Sequence, residues 1–145
     1  QKDFYVAGVA TGSIAIGILI AEILKKPFIY VRPEPKAHGT GKQIEGMILK
    51  KVPVVVIEDL ISTGKSSLNA VETLQKNNID VLGVFAIFSY GLEVAKSNFE
   101  KANQKFYSLS DFSTLVECSK KHIGISQDDL DKVNNWKKNP TNWIV

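Results

Sequence analysis

The sequence predicts one α/β domain, a central and mostly parallel β-sheet with helices on both faces. Three observations lead there. Short β-branched runs alternate with segments of helix length. Those runs are apolar almost without interruption, as expected of strands buried on both sides. The chain has 145 residues, 44% of them hydrophobic, enough for a single core.

Taken in order, Phe4–Ala10 (FYVAGVA) reads as a buried strand. The turn Thr11-Gly12-Ser13 then leads into a helix over Ile14–Lys25, which Pro27 stops. Pro27–Arg32 (PFIYVR) reads as a second strand. Pro33–Gln43 (PEPKAHGTGKQ) offers Pro, Gly and charge with little to bury, so a long flexible loop is expected. GMILK, from Gly46, has the composition of a short strand, and Val52–Asp59 (VPVVVIED) that of a fully buried one. A helix from Lys65 to about Asn77 follows, with Ser62 or Thr63 as its cap. Val81–Tyr90 is a strand, Leu92–Ala102 a helix and Lys105–Ser110 a short strand. Ser110 or Asp111 caps a further helix, and Ser126 caps a last one running to Trp136.

The net charge of +3 is spread along the chain, which argues against a nucleic-acid interface, where Lys and Arg gather on one stripe. The apolar run Ile14–Leu24 is too short to span a bilayer and contains Glu22. A single cysteine, Cys118, rules out an internal disulfide and suits a reducing, cytoplasmic setting; its helical surroundings suggest a buried small hydrophobe. His122 reads as a surface or helix-end histidine. The sequence enters a strand within a few residues of Gln1, so an upstream segment is expected to be absent from it.

Ligands of such sheets sit outside the carboxyl ends of the strands. Thr11–Ser13, Arg32–His38 and Glu58–Ser66 all fall there. The stretch VIEDLISTGKSS ends like a nucleotide P-loop, yet Asp59 stands where that loop requires glycine, five positions before Gly64. What the residues do provide is an anion nest. The first amides of a helix have no internal partner, and the hydroxyls of Ser62, Thr63, Ser66 and Ser67 surround them. Glu58 and Asp59 would repel a phosphate, so they must meet another part of the same ligand, such as vicinal sugar hydroxyls or Mg²⁺. A ribose 5-phosphate meets both demands. A capped helix after two solvated acids fits the same residues.

Four apolar residues, two acids, two apolar residues and then hydroxyl-Thr-Gly-x-Ser resemble the phosphoribosyl pyrophosphate (PRPP) signature of type I phosphoribosyltransferases. YVRPEPKAHGTGKQIEG, VVVIEDLISTGKS, IFSYGL and the closing NPTNW together resemble orotate phosphoribosyltransferases of the form found in Gram-positive bacteria. The resemblance implies the type I fold over residues 1–145, a flexible catalytic loop, and Mg²⁺-dependent synthesis of orotidine 5′-monophosphate in pyrimidine biosynthesis. It implies PRPP contacts from Thr11, Gly12, Glu58, Asp59, Ser62, Thr63, Gly64, Lys65 and Ser66, with Ser62 also meeting orotate. Arg32, Lys36 and His38 would contact the pyrophosphate; Lys36, His38 and Asp59 are the catalytic candidates, with Lys36 the proton donor. Mg²⁺ would be held mainly through PRPP, with Glu58 and Asp59 as carboxylates in reach. A homodimer sharing the loop between subunits is also implied, with no membrane or nucleic-acid partner.

The chain departs from many family members at Pro33, Gly12 and Gly91, where a basic residue, a lysine and an arginine are common. The segment that helps cover the base is also not in this chain. These departures leave orotate recognition short of cations. Two alternatives stand beside the leading one: transfer to another base, and a PRPP-sensing regulator without catalysis.

Overall fold

The computed structural model describes residues 3–35, 42–47 and 52–140. Among them lie β1 (Tyr5–Val9), α1 (Ser13–Leu24), β2 (Phe28–Val31), β3 (Ile44–Glu45), β4 (Val54–Ile61) and α2 (Lys65–Lys76). β5 (Val81–Ser89), α3 (Glu93–Lys101), β6 (Phe106–Asp111), α4 (Phe112–His122) and α5 (Gln127–Lys138) complete the order. The strands form one sheet in the order β3-β2-β1-β4-β5-β6. Every neighbouring pair is parallel except β2 and β3. The chain leaves β1 to one side for β2 and returns to its other side for β4. The sheet therefore reverses its winding between β1 and β4, and a crevice opens beyond their carboxyl ends.

The larger core lies on one face, where Val54, Val56 and Val84 meet Ala70, Val71 and Leu74 of α2 and Ala95 and Phe99 of α3. On the other face α1 packs Ala21, Ile16 and Ile20 over Val6 and Ile57. Each large side chain buried this way contributes about 1.5–3 kcal/mol. Helices thus flank both faces, as expected, but unevenly. On the α1 side the strands β5 and β6 keep Phe85, Ile87, Tyr107 and Leu109 exposed. These border a hollow of about 490 Å³ that Phe4 and Leu24 also line.

Four expectations need correction. β4 does not stop at Asp59: Leu60 and Ile61 go on pairing with Phe88 and Ser89 of β5, and Ile61 is 1% exposed. Backbone pairing continues past the acids because β5 runs alongside. An antiparallel strand forms at Ile44–Glu45, earlier than GMILK, because the chain turns back along the free edge of β2 and pairs there. Gly46 and Met47 lie outside any strand, and residues 48–50 are outside the described residues. The cap of α2 is Gly64, with no side-chain hydrogen bond, rather than Ser62 or Thr63. Cys118 is exposed, not buried: α4 docks through Phe112, its one buried residue, and its later turns face outward. Asp111 and Ser126 do cap α4 and α5, accepting from the amides of Thr114 and Asp129. His122 is the last residue of α4 and is exposed, as read.

Candidate active site

The crevice is built from two turns. After β1, the Ala10 amide donates to Val31 O at 2.9 Å and the Ile14 amide to Thr11 O at 3.2 Å, which fixes the loop from β1 into α1. The Ala10–Thr11 peptide bond is cis. Thr11 and Gly12 face outward, whereas Ser13 is fully buried. Gly12 permits a close approach: a Cβ there would stand 2.0 Å from Asp59 Oδ2. The carboxylate of Asp59 on β4 therefore rests against the first turn.

The adjacent acids divide. Both carboxylates reach the turn after β1, Glu58 at Ser13 and Asp59 at Gly12, yet their burial differs. Glu58 is 4% exposed; Asp59 is exposed. The Ser13 hydroxyl donates to Glu58 Oε1 at 2.7 Å and the Ser67 hydroxyl to Oε2 at 2.8 Å. Burial pushes the Glu58 carboxyl above its usual range and the neighbouring Asp59 carboxylate adds to the rise, while the two serine bonds oppose it. Ser67, assigned from sequence to the anion nest, is 1% exposed and turned inward to Glu58, so the nest loses that hydroxyl.

The second turn, Ser62–Ser66, follows β4. Gly64 takes φ +77°, and a Cβ on it would lie 2.6 Å from the buried Phe99 ring, so only glycine fits. α3 steadies the same turn, Asn98 Nδ2 donating to Thr63 O at 3.0 Å. With no side-chain cap on α2, its first amides face the crevice, flanked by exposed Ser62, Thr63, Lys65 and Ser66. The arrangement can take an anion at the helix start and hydroxyls at Asp59.

Arg32 reaches the same place. With Ala10 and Ser66 it lines a small cavity of about 40 Å³ between β1, β2 and α2. Its Nε is buried and has no hydrogen-bond partner among the described residues. Lys36 and His38 lie outside the described residues. An open groove of about 850 Å³ continues from Thr63 and Lys65 along α2 to Lys101.

One cation was missed in the sequence. Lys137 of α5 donates to Ser113 Oγ at 3.0 Å, lies 5.1 Å above the Phe112 ring, and would be 3.8 Å from a Cβ on Gly91. Gly91 follows Tyr90, whose amide bonds Ile61 O beside the nest. Trp136 and Phe112 pack around Tyr90. Nothing in the spacing of these residues announced the cluster; α5 folding back creates it. Among the described residues no group of three or more His, Cys, Asp or Glu could hold a metal by itself. Asp59 offers one exposed carboxylate beside an anion site, which suits Mg²⁺ shared with substrate phosphates. No helix among the described residues is long and apolar enough to cross a membrane.

No family model matches the chain. It is 45% identical to the orotate phosphoribosyltransferase of Cytophaga hutchinsonii over 138 residues, covering 95% of this chain and 66% of that one. The orotate phosphoribosyltransferase of Porphyromonas gingivalis is 44% identical over 97% of this chain and 67% of its own length. The chain thus spans about two thirds of the length of these curated relatives. Among solved structures, orotate phosphoribosyltransferase from Aeropyrum pernix superposes with a TM-score of 0.71 at 35% identity, over 79% of this chain and 64% of that one. Sequence identity over nearly all of the chain and the shared sheet agree: the chain belongs to the orotate phosphoribosyltransferase family.

Proposed function

We propose that the full-length protein transfers the 5-phosphoribosyl group of PRPP to orotate, giving orotidine 5′-monophosphate and pyrophosphate for pyrimidine synthesis in the cytoplasm. The observation that carries this reading is the pairing of an uncapped helix start at Ser62–Ser66 with exposed Asp59 held against Gly12. In this reading the 5-phosphate docks on the amides and hydroxyls of Thr63, Gly64, Lys65 and Ser66. The acid pair meets the ribose hydroxyls, and Thr11 and Gly12 offer backbone to the pyrophosphate. Ser62 and Lys137 stand on the base side, where Lys137 supplies a positive charge for the orotate anion.

As orotate N1 displaces pyrophosphate, positive charge grows on the ribose ring and negative charge on the leaving group. Arg32, Lys36 and His38 answer the second. Lys36 gives a proton to the departing oxygen, and the loop that carries it excludes water. Bound through the substrate's phosphates, with Asp59 in reach, Mg²⁺ would neutralise the leaving group's charge. The loop works across a homodimer, each subunit completing its partner's site.

The test is an absorbance assay of orotate consumption by the full-length protein with PRPP and Mg²⁺. Adenine, guanine and uracil serve as competing acceptors. Orotate alone should be consumed. Consumption of a purine instead would favour transfer to another base, and no consumption of any base would refute transfer.

A further inference from the structure

The chain is clamped just where it leaves β2. The Pro33 carbonyl accepts from Asn69 Nδ2 of α2 at 3.0 Å and from Gln43 Nε2 at 3.2 Å. The same Gln43 side chain donates to Arg32 O at 3.3 Å, and Gln43 O accepts from the Arg32 amide at 2.8 Å. Proline tightens the clamp further. Its ring locks φ at about −65°, which leaves ψ as the free rotation, and the two amides on its carbonyl set that.

Arg32 gets no such help at its own Nε, which is buried and has no hydrogen-bond partner among the described residues. The backbone on either side of the Arg32–Pro33 bond is therefore what fixes where this side chain starts. Asn69 also needs a reason for its position. It lies in the second turn of α2, where asparagine is a poorer helix former than alanine. There it is half-buried and borders, with Arg32, Pro33 and Ser66, the small cavity beside the nest.

We infer that Asn69 and Gln43 are positioning residues: by fixing the Pro33 carbonyl they set the direction in which Arg32 leaves β2, and they act through Arg32 on the departing pyrophosphate. This rests on the reading in which Arg32 answers the charge of the leaving group. Bonds that only steadied the fold would show in unfolding and leave pyrophosphate binding alone. Bonds that act through Arg32 do the reverse, and they lose their effect once Arg32 is gone.

Calorimetry on the full-length protein would use pyrophosphate with Mg²⁺ as one probe and ribose 5-phosphate as the other, beside thermal unfolding. The variants are Arg32→Ala, Asn69→Ala, Gln43→Ala and the double variant Arg32→Ala/Asn69→Ala. Arg32→Ala should weaken pyrophosphate at least about tenfold, as expected for a lost hydrogen bond to a charged group. Asn69→Ala and Gln43→Ala should each weaken it about fivefold, with ribose 5-phosphate moved less than about twofold. The melting temperature of Asn69→Ala should match the wild type or exceed it, because alanine is the better helix former. In the double variant, removing Asn69 after Arg32 should cost less than about twofold. The inference is overturned if the double variant loses the product of the two single losses, since Asn69 then does not act through Arg32. It is also overturned if Asn69→Ala binds pyrophosphate as the wild type does, or weakens both probes equally. If Gln43→Ala does not fold, Asn69→Ala and its double variant decide alone. Arg32→Ala that binds pyrophosphate as the wild type does would instead remove the reading from which the inference starts.

Discussion

Replacing Gly12 by alanine separates the site from the scaffold. Its φ of −59° and ψ of −37° are helical values that alanine adopts freely, so the backbone gives no reason for glycine. The reason is space. The added Cβ would stand 2.0 Å from Asp59 Oδ2 and 2.8 Å from its Cγ, where ordinary contact begins at 3.4 Å. Asp59 is exposed and can swing aside, at a cost of about 1 kcal/mol for a displaced rotamer. Its carboxylate must then move by about 1.4 Å, and a misplacement of about 1 Å costs on the order of 100-fold in rate. Gly12→Ala should therefore lower kcat/KM for PRPP about 100-fold, equivalent to about 2.7 kcal/mol, while its melting temperature falls by a few degrees at most. Steady-state kinetics with PRPP varied, run beside thermal unfolding, measure both. Wild-type kcat/KM in Gly12→Ala would refute the placement of Asp59. A loss that tracks unfolding would refute the claim that space in the site, not stability, fixes this glycine.

Gly64→Ala should do the opposite and strike stability. A positive φ costs about 1–2 kcal/mol, and pressing a Cβ to 2.6 Å from the buried Phe99 ring about 1–3 kcal/mol more; urea unfolding should show a loss within that combined range. A change below about 0.5 kcal/mol would mean the turn relaxes freely. Lys137→Ala should raise KM for orotate about tenfold and leave KM for PRPP alone; a parallel rise in both would remove Lys137 from the base side. Asp111 gives a pH test: the Thr114 amide bond holds its carboxyl below the usual range. A depressed carboxyl adds stability above its unfolded pKa of about 3.8 and loses it as pH falls through the lower folded value. The melting temperature of wild type should thus exceed that of Asp111→Asn at pH 7, and the gap should close in acid. A gap independent of pH would show that the cap, not its charge, matters.

The parts of the fold that could be read from sequence are those whose reason is local. β1 and most of β4 are buried on both faces, so their residues run apolar and announce themselves; β5 runs apolar as well, although Phe85 and Ile87 stay exposed on the α1 side. β3 exists only because the edge of β2 offers partners to Ile44 and Glu45, and two residues carry no pattern. The nest was legible as chemistry, because hydroxyls and a glycine at a helix start admit few uses. The unequal burial of the two acids was not, because a strand pattern does not say which distant side chains each of them will meet. The partners of Glu58 lie 45 and 9 residues away, and their serines look like turn and helix-cap residues until the fold brings them together. Cys118 was misplaced because helical periodicity cannot say which turns of α4 dock. Lys137 was invisible for the same reason: only the return of α5 onto Tyr90 gives it a site.

The central claim is that phosphate docks at Thr63–Ser66 while Asp59 meets the sugar. An amide-resolved NMR titration of the labelled full-length protein tests it directly. Inorganic phosphate should shift the amides of Thr63, Gly64, Lys65 and Ser66, and ribose 5-phosphate should add shifts at Gly12 and Asp59. Shifts confined to the groove along α2, at Leu68, Glu72 and Lys101, with Thr63–Ser66 silent, would contradict it.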